Sequence, residues 1–254
     1  EHKTDAVNIP CKALGSGVKA NVLSTMTASM AMNFRVRHEP ILRTIKAIMD
    51  TLPVDSVRNI SYSTFTIIDV DSDGEAKIVE FDNPPLLLVR DNKVTRIKTD
   101  DTIIKRKAEG DRQDERLIKM SNITLKKEDR LICFSDGVSQ SGIGNRDMPF
   151  GWEDGIDEFI EELVKKKPKI SARELSMRIV KQAELNDILK PKDDTSCVVL
   201  YVREPRRLLI CTGPPFSENK DKYLAEIVSH YRGKKIVCGG TTSQILSREL
   251  KREI

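Results

Sequence analysis

Charge of one sign is scarce in this 254-residue chain: 43 Lys and Arg stand against 39 Asp and Glu, a net +4. A nucleic-acid partner calls for a concentrated basic face, so none is expected. The one basic run, Lys165-Lys166-Lys167-Pro168-Lys169, falls between two predicted helices and reads as a solvated loop. Paired cysteines are missing too. Cys11, Cys133, Cys197, Cys211 and Cys238 show no Cys-x-x-Cys spacing, and Cys133 and Cys197 sit inside apolar runs, which fits buried thiols in a reducing cytosol. No apolar run approaches a membrane span, and the first residues lack a secretory apolar core. The expectation is a soluble cytoplasmic protein, off the membrane, with its oligomeric state left open.

Several ligand motifs fail on inspection. Asp71-Ser72-Asp73-Gly74 lacks the downstream glutamate of a calcium loop, since position 82 is Asp and Pro84 follows, so it reads as a hairpin turn. Gly239-Gly240-Thr241-Thr242 is not a phosphate-binding P-loop, which needs other spacing and a Gly-Lys step. Glycines followed by threonines at a helix start still offer amides and hydroxyls to an anion, so Gly239, Gly240, Thr241 and Thr242 are candidate anion-binding residues beside the plain reading of a capped turn. Leu14-Gly15-Ser16-Gly17 likewise precedes a helix.

What is present is a string of strand and helix signals. Residues 1–13 hold at most one short strand, interrupted at Pro10. A helix is expected from about Val18 to Phe34, with Val22, Met26 and Met30 marking its apolar face, and another from Glu39 to Leu52 with Ile41, Ile45 and Ile48 on one face. Tyr62–Val70 and Glu75–Phe81 form a hairpin, and Leu86–Arg90 and Lys93–Ile97 extend it into a meander. The charged stretch from Thr99 to Met120 reads as a flexible connection. Leu131–Val138, Leu-Ile-Cys-Phe-Ser-Asp-Gly-Val, is apolar on both faces and delivers Asp136 and Gly137 to a strand's end. Helices follow over Trp152–Val164 and Ser171–Leu185, the second with Ser171 as N-cap and Glu174 three residues on. Lys192-Asp193-Asp194-Thr195 then opens a strand from Ser196 to Val202.

The two strand ends bring three carboxylates, Asp136, Asp193 and Asp194, that could meet and hold divalent cations through oxygen. Ser-Asp-Gly-Val after an apolar strand, two amphipathic helices, then Asp-Asp-Thr before a Val-rich strand resembles the metal-dependent (type 2C) protein phosphatases, in their bacterial sporulation stage-II-E-like branch. The resemblance covers about residues 14–203. It implies an α+β fold, an antiparallel β-sandwich flanked by helices, over residues 1–203. It also implies serine/threonine phosphoprotein phosphatase activity in bacterial regulation, a phosphorylated protein as substrate, and a two-metal Mn2+ or Mg2+ centre. Asp136 and Asp193 match its metal ligands, with Asp194 binding directly or through water.

One position departs from that pattern. The family carries a further bridging aspartate in an Asp-Gly step before the Gly-x-Gly turn, where Lys12-Ala13 stands here. Two readings stay open: a noncatalytic phosphatase-fold regulator or phosphoprotein-binding scaffold, or a sequence lacking a segment between about Ile9 and Leu14. The second is preferred because the family character is kept from Leu14 onward. Past the polar break Arg203-Glu204-Pro205, strand and helix signals alternate again, and residues 204–254 are expected to form a small α/β module, truncated if its last helix runs on.

Overall fold

The computed structural model describes residues 5–13, 18–37, 39–51, 63–107, 113–145 and 148–254. Leu14-Gly15-Ser16-Gly17 lies outside them. The elements in chain order are β1 (Asp5–Ala13), α1 (Val18–Val36), α2 (Ile41–Thr51), β2 (Ser63–Val70), β3 (Glu75–Phe81), β4 (Leu87–Arg90), β5 (Lys93–Arg96), β6 (Asp100–Lys107), β7 (Gln113–Thr124), β8 (Arg130–Phe134) and α3 (Asp136–Ser139). Then follow α4 (Ile156–Lys166), α5 (Ala172–Asn186), β9 (Cys197–Tyr201), β10 (Leu208–Thr212), α6 (Asp221–His230), β11 (Lys234–Cys238) and α7 (Gly240–Leu250). The chain divides into two compact units, Glu1–Arg203 and Glu204–Ile254.

The first unit is an α+β sandwich of two antiparallel sheets, ordered β1-β2-β3-β7-β6 and β5-β4-β8-β9. Strand alternation decides which residues fill each layer. Ile68, Ala76 and Ile78 of the first sheet pack with Leu88, Leu131 and Cys133 of the second, forming the core between them. On the outer face of the first sheet, Phe65, Ile67, Val79 and Ile118 meet Leu23 and Ala31 of α1 and Ile45, Ile48 and Met49 of α2. On the outer face of the second, Leu87, Val89, Ile132 and Phe134 meet Ile156, Ile160 and Val164 of α4 and Leu175 and Ile179 of α5. Both faces of β8 are therefore covered, and all five of its residues are buried.

Three sequence expectations change. The stretch taken as a flexible connection is the hairpin β6–β7, with β7 inside the sheet between β3 and β6. Its alternation is read from burial: Ile104 and Ile118 turn to the core, while Ile103 and Leu117 stay exposed. Charges on the outer face hid a half-buried pattern. The buried stripe of α1 is Leu23, Thr27 and Ala31, and Val22 and Met26 are exposed. Thr27 can occupy that stripe because its hydroxyl donates to the Leu23 carbonyl at 2.8 Å. Finally, β1 runs on past Pro10. Its register slips between Ile9, opposite Thr66, and Lys12, opposite Thr64, so an extra residue bulges out around the proline, which has no amide hydrogen for a ladder.

In the second unit β10 and β11 are parallel and in register from Leu208 opposite Lys234 to Thr212 opposite Cys238. Ala225 and Val228 of α6 and Leu246 of α7 cover Leu209, Cys211 and Val237 on one sheet face. Arg248 Nη2 reaches the buried Asp221 carboxylate at 2.5 Å and joins the two helices. Residues 1–203 are balanced in charge, and the whole excess of +4 falls in 204–254.

Candidate active site

β8 and β9 are neighbours, antiparallel, with Phe134 opposite Cys197. This pairing sets the end of β8 beside the start of β9, and Asp136 beside the segment carrying Asp193 and Asp194. Ser135 fastens the junction. Its N–H donates to Ser196 O at 3.0 Å, its hydroxyl donates to Asp194 O at 2.7 Å, and the same oxygen accepts Ser196 N–H at 2.9 Å. Gly137 is the second fastening. A Cβ there would collide with the Asp194 carbonyl oxygen and lie 2.9 Å from its carbon and 3.2 Å from Asp193 O, so only glycine permits the approach. Neither Ser135 nor Gly137 stood out in the sequence as a site residue, although both lie in the Ser-Asp-Gly motif.

A polar latch joins the loops that flank this junction. The Gly142 N–H donates to Asp187 Oδ1 at 2.9 Å, Asn186 Nδ2 to Ser141 Oγ at 3.0 Å, Asn145 Nδ2 to Asn186 O at 2.9 Å, and Lys192 Nζ to Ile143 O at 2.6 Å. Asn186 and Asp187 are buried, so their polar atoms must be satisfied locally. The loop after Asp136 and the loop before Asp193 are thus bonded to each other.

The same end of the sandwich is closed by Glu80 at the end of β3, whose Oε1 accepts the Leu86 N–H at 2.7 Å just before β4. Burial pushes this carboxyl above its ordinary range, opposed by that bond and by Lys119. The backbone of β1 also leaves the sheet at this end, with Ala13 opposite Ser63. Burial raises the Cys133 thiol and pushes Cys197 up to about 12, so both are protonated at neutral pH and neither supplies a thiolate nucleophile.

Two of the three carboxylates accept a bond from the residue that follows them. Asp136 Oδ1 accepts the Gly137 N–H at 3.0 Å, and Asp193 Oδ1 accepts the Asp194 N–H at 2.7 Å. Among the described residues no group of three His, Cys, Asp or Glu is gathered as metal ligands, so Asp136, Asp193 and Asp194 adjoin without forming a complete triplet. In kind, the donors fit a hard divalent cation: oxygen ligands on rigid strand ends, at a junction that a Cβ would fill. The Gly239–Thr242 turn opens α7 in the other unit, with Gly239 at φ 94° as N-cap, open space over Gly240, and Thr242 buried.

Solved structures of phosphatase domains share this fold of helix-flanked antiparallel sheets. The type 2C phosphatase domain with a fragment of the regulatory domain of SpoIIE from Bacillus subtilis is 16% identical, TM-score 0.54, over 80% of this chain and 59% of that one. A Bacillus subtilis SpoIIE phosphatase domain in a crystal form without domain swapping is 16% identical, TM-score 0.50, over 86% and 98%. The RsbU and RsbW domains of a Mycobacterium tuberculosis protein are 14% identical, TM-score 0.56, over 90% and 62%. At these identities the likeness is one of fold. No curated protein matches the sequence. Residues 11–203 match the model of the Stage II sporulation protein E family, and the chain belongs to that family. Among the described residues no helix is long and apolar enough to cross a membrane.

Proposed function

We propose that the protein is a metal-dependent serine/threonine phosphoprotein phosphatase acting in bacterial cytoplasmic regulation. The observation that carries the proposal is the junction at which Ser135 and Gly137 bind the Asp193–Asp194 backbone and so fix Asp136 beside Asp193. Asp136 and Asp193 would hold Mn2+ or Mg2+, with Asp194 contributing directly or through water. A divalent ion held there would supply activation of water and stabilisation of charge on a phosphoryl group. The chain's own part is positional. β8, buried on both faces, holds Asp136 rigidly, Ser135 sets the height of the Asp193 segment against it, and the latch through Asn186 and Asp187 keeps both flanking loops in place. No protein nucleophile is required.

Asp136→Asn keeps the shape of the side chain and removes its charge. Manganese-dependent phosphate release from a phosphoserine peptide is expected to be abolished while the melting temperature holds; retained activity refutes the assignment.

A second reading has its own observation. The backbone of Lys12–Ala13 leaves the sheet at this same end, where the family's bridging aspartate is expected, and a lysine ammonium opposes a cation. This favours a noncatalytic phosphatase-fold regulator that binds phosphoproteins. Calorimetric titration with manganese separates the two: binding that disappears in Asp136→Asn supports the enzyme, and no binding to the wild type supports the regulator.

A further inference from the structure

The end of α5 carries an unusual residue for its geometry. Ile188 N–H donates to Leu185 O at 3.0 Å and Leu189 N–H to Glu184 O at 2.7 Å. These are the paired bonds of a helix terminus whose next residue is left-handed, and that residue is usually glycine. Here it is Ile188, at φ 55°, and Leu189 follows at φ 58°. In that region Cβ crowds the neighbouring carbonyl oxygen, and a β-branched residue there is a genuine outlier. Burial does not offset the strain, because Ile188 is 76% and Leu189 61% exposed. A strained backbone that sets aliphatic side chains in water does nothing for folding, and such outliers cluster at ligand clamps.

Their place in the fold says what they would clamp. Asp187, immediately before Ile188, is the residue that latches Gly142, and Lys192, just after, holds the Ile143 carbonyl. Ile143 is itself partly exposed, and Lys190 is exposed. The two aliphatic side chains therefore stand on the bridge between both arms of the candidate active site, in sequence with Asp193. We infer that Ile188 and Leu189 form a docking shelf for an apolar side chain of the phosphorylated protein segment, with Lys190 and Lys192 attracting its negative charge. This inference rests on the proposed phosphatase reading and adds a substrate class to it. Asp193 lies five positions after Ile188, at most about 17 Å of extended chain. The docked side chain belongs within about five positions of the phosphorylated residue.

Binding can be read without turnover. Two fluorescein-labelled phosphoserine decapeptides serve as probes, one with Leu and Val within five positions of the phosphoserine in a Gly/Ser background, the other with Gly and Ser only. In anisotropy titrations of the full chain with a chelator present, the wild type is expected to bind the first about tenfold more tightly, as burial of part of an aliphatic side chain predicts. Ile188→Gly and Leu189→Ser should bring the two dissociation constants together. Ile188→Gly should do so with an unchanged or raised melting temperature, since glycine adopts the left-handed conformation freely, and with unchanged p-nitrophenyl phosphate hydrolysis.

Equal affinity of the wild type for both peptides, or discrimination that persists in Ile188→Gly, overturns the shelf. Hydrolysis of p-nitrophenyl phosphate without peptide discrimination removes the shelf alone. Discrimination without hydrolysis of any phosphate ester removes the enzyme and leaves the shelf.

Discussion

Gly137 matters for what it lacks. Its backbone touches the Asp193–Asp194 carbonyls, so Gly137→Ala has to push the two strand ends apart. Overpacking of this kind costs about 1–3 kcal/mol, and phosphate release should fall more steeply than the melting temperature, because the displaced atoms belong to the proposed site. Equal activity in Gly137→Ala and wild type would show that the junction tolerates a looser geometry. Glu80 gives a pH signature. Burial raises its folded pKa above the unfolded value, so the folded state holds the proton more tightly. Its stabilising contribution is complete below the unfolded pKa of about 4.5 and is lost as pH rises through the raised folded pKa. Glu80→Gln keeps an acceptor for the Leu86 N–H and removes the titration; its chemical-denaturation stability should decline less than that of the wild type over this window.

At the scale of elements, the sandwich is pinned at both ends by different chemistry. Glu80 joins β3 to the start of β4 at the site end. At the other end Arg90, closing β4, donates to both oxygens of Asp129, at 2.6 Å from Nη2, and to the Thr124 carbonyl of β7. Asp129 also accepts the Lys126 N–H at 2.7 Å, holding the turn into β8. Asp129 is buried while the Arg90 side chain keeps 30% exposure, so water screens part of the loss when the pair is broken. Asp129→Ala is expected to destabilise the first unit by about 2–3 kcal/mol, below the full cost of breaking a buried pair, as read from urea unfolding. A loss under about 0.5 kcal/mol, the usual range for surface changes, would show that the turn holds β8 without it.

For the whole molecule, the two units have separate cores. Among the described residues, the cluster of Ala225, Val228 and Leu246 is built from residues of 204–254, and the first unit's three clusters from residues before 203. Cores that share no residues melt separately unless an interface couples them. Scanning calorimetry of the full chain is therefore expected to resolve two transitions, and a fragment ending at Arg203 to keep the one belonging to the sandwich. A fragment with no cooperative transition would show that the units fold only together.

Much of this was legible in the chain itself. β-Branched and aromatic content around the Asp71–Gly74 turn and the Pro84-Pro85 step marked β2 to β5, the doubly apolar run marked β8 as an interior strand, and Ser171 with Glu174 marked the start of α5, where Ser171 Oγ accepts the Glu174 N–H at 3.1 Å. Those signals are local, written in residues a few positions apart. The hairpin β6–β7 was not legible, because its outward residues are charged and only packing against α2 and β3 reveals which side of Ile103-Ile104 and Leu117-Ile118 is inside. Nor was the junction that joins the two strand ends. Spacing announced Asp136, Asp193 and Asp194, but the strand pairing that sets their segments side by side, the Ser135 bond to the Asp194 carbonyl and the close approach at Gly137 join residues nearly sixty positions apart. Contacts of that range leave no periodic trace in a sequence, and they exist only once β8 and β9 have paired.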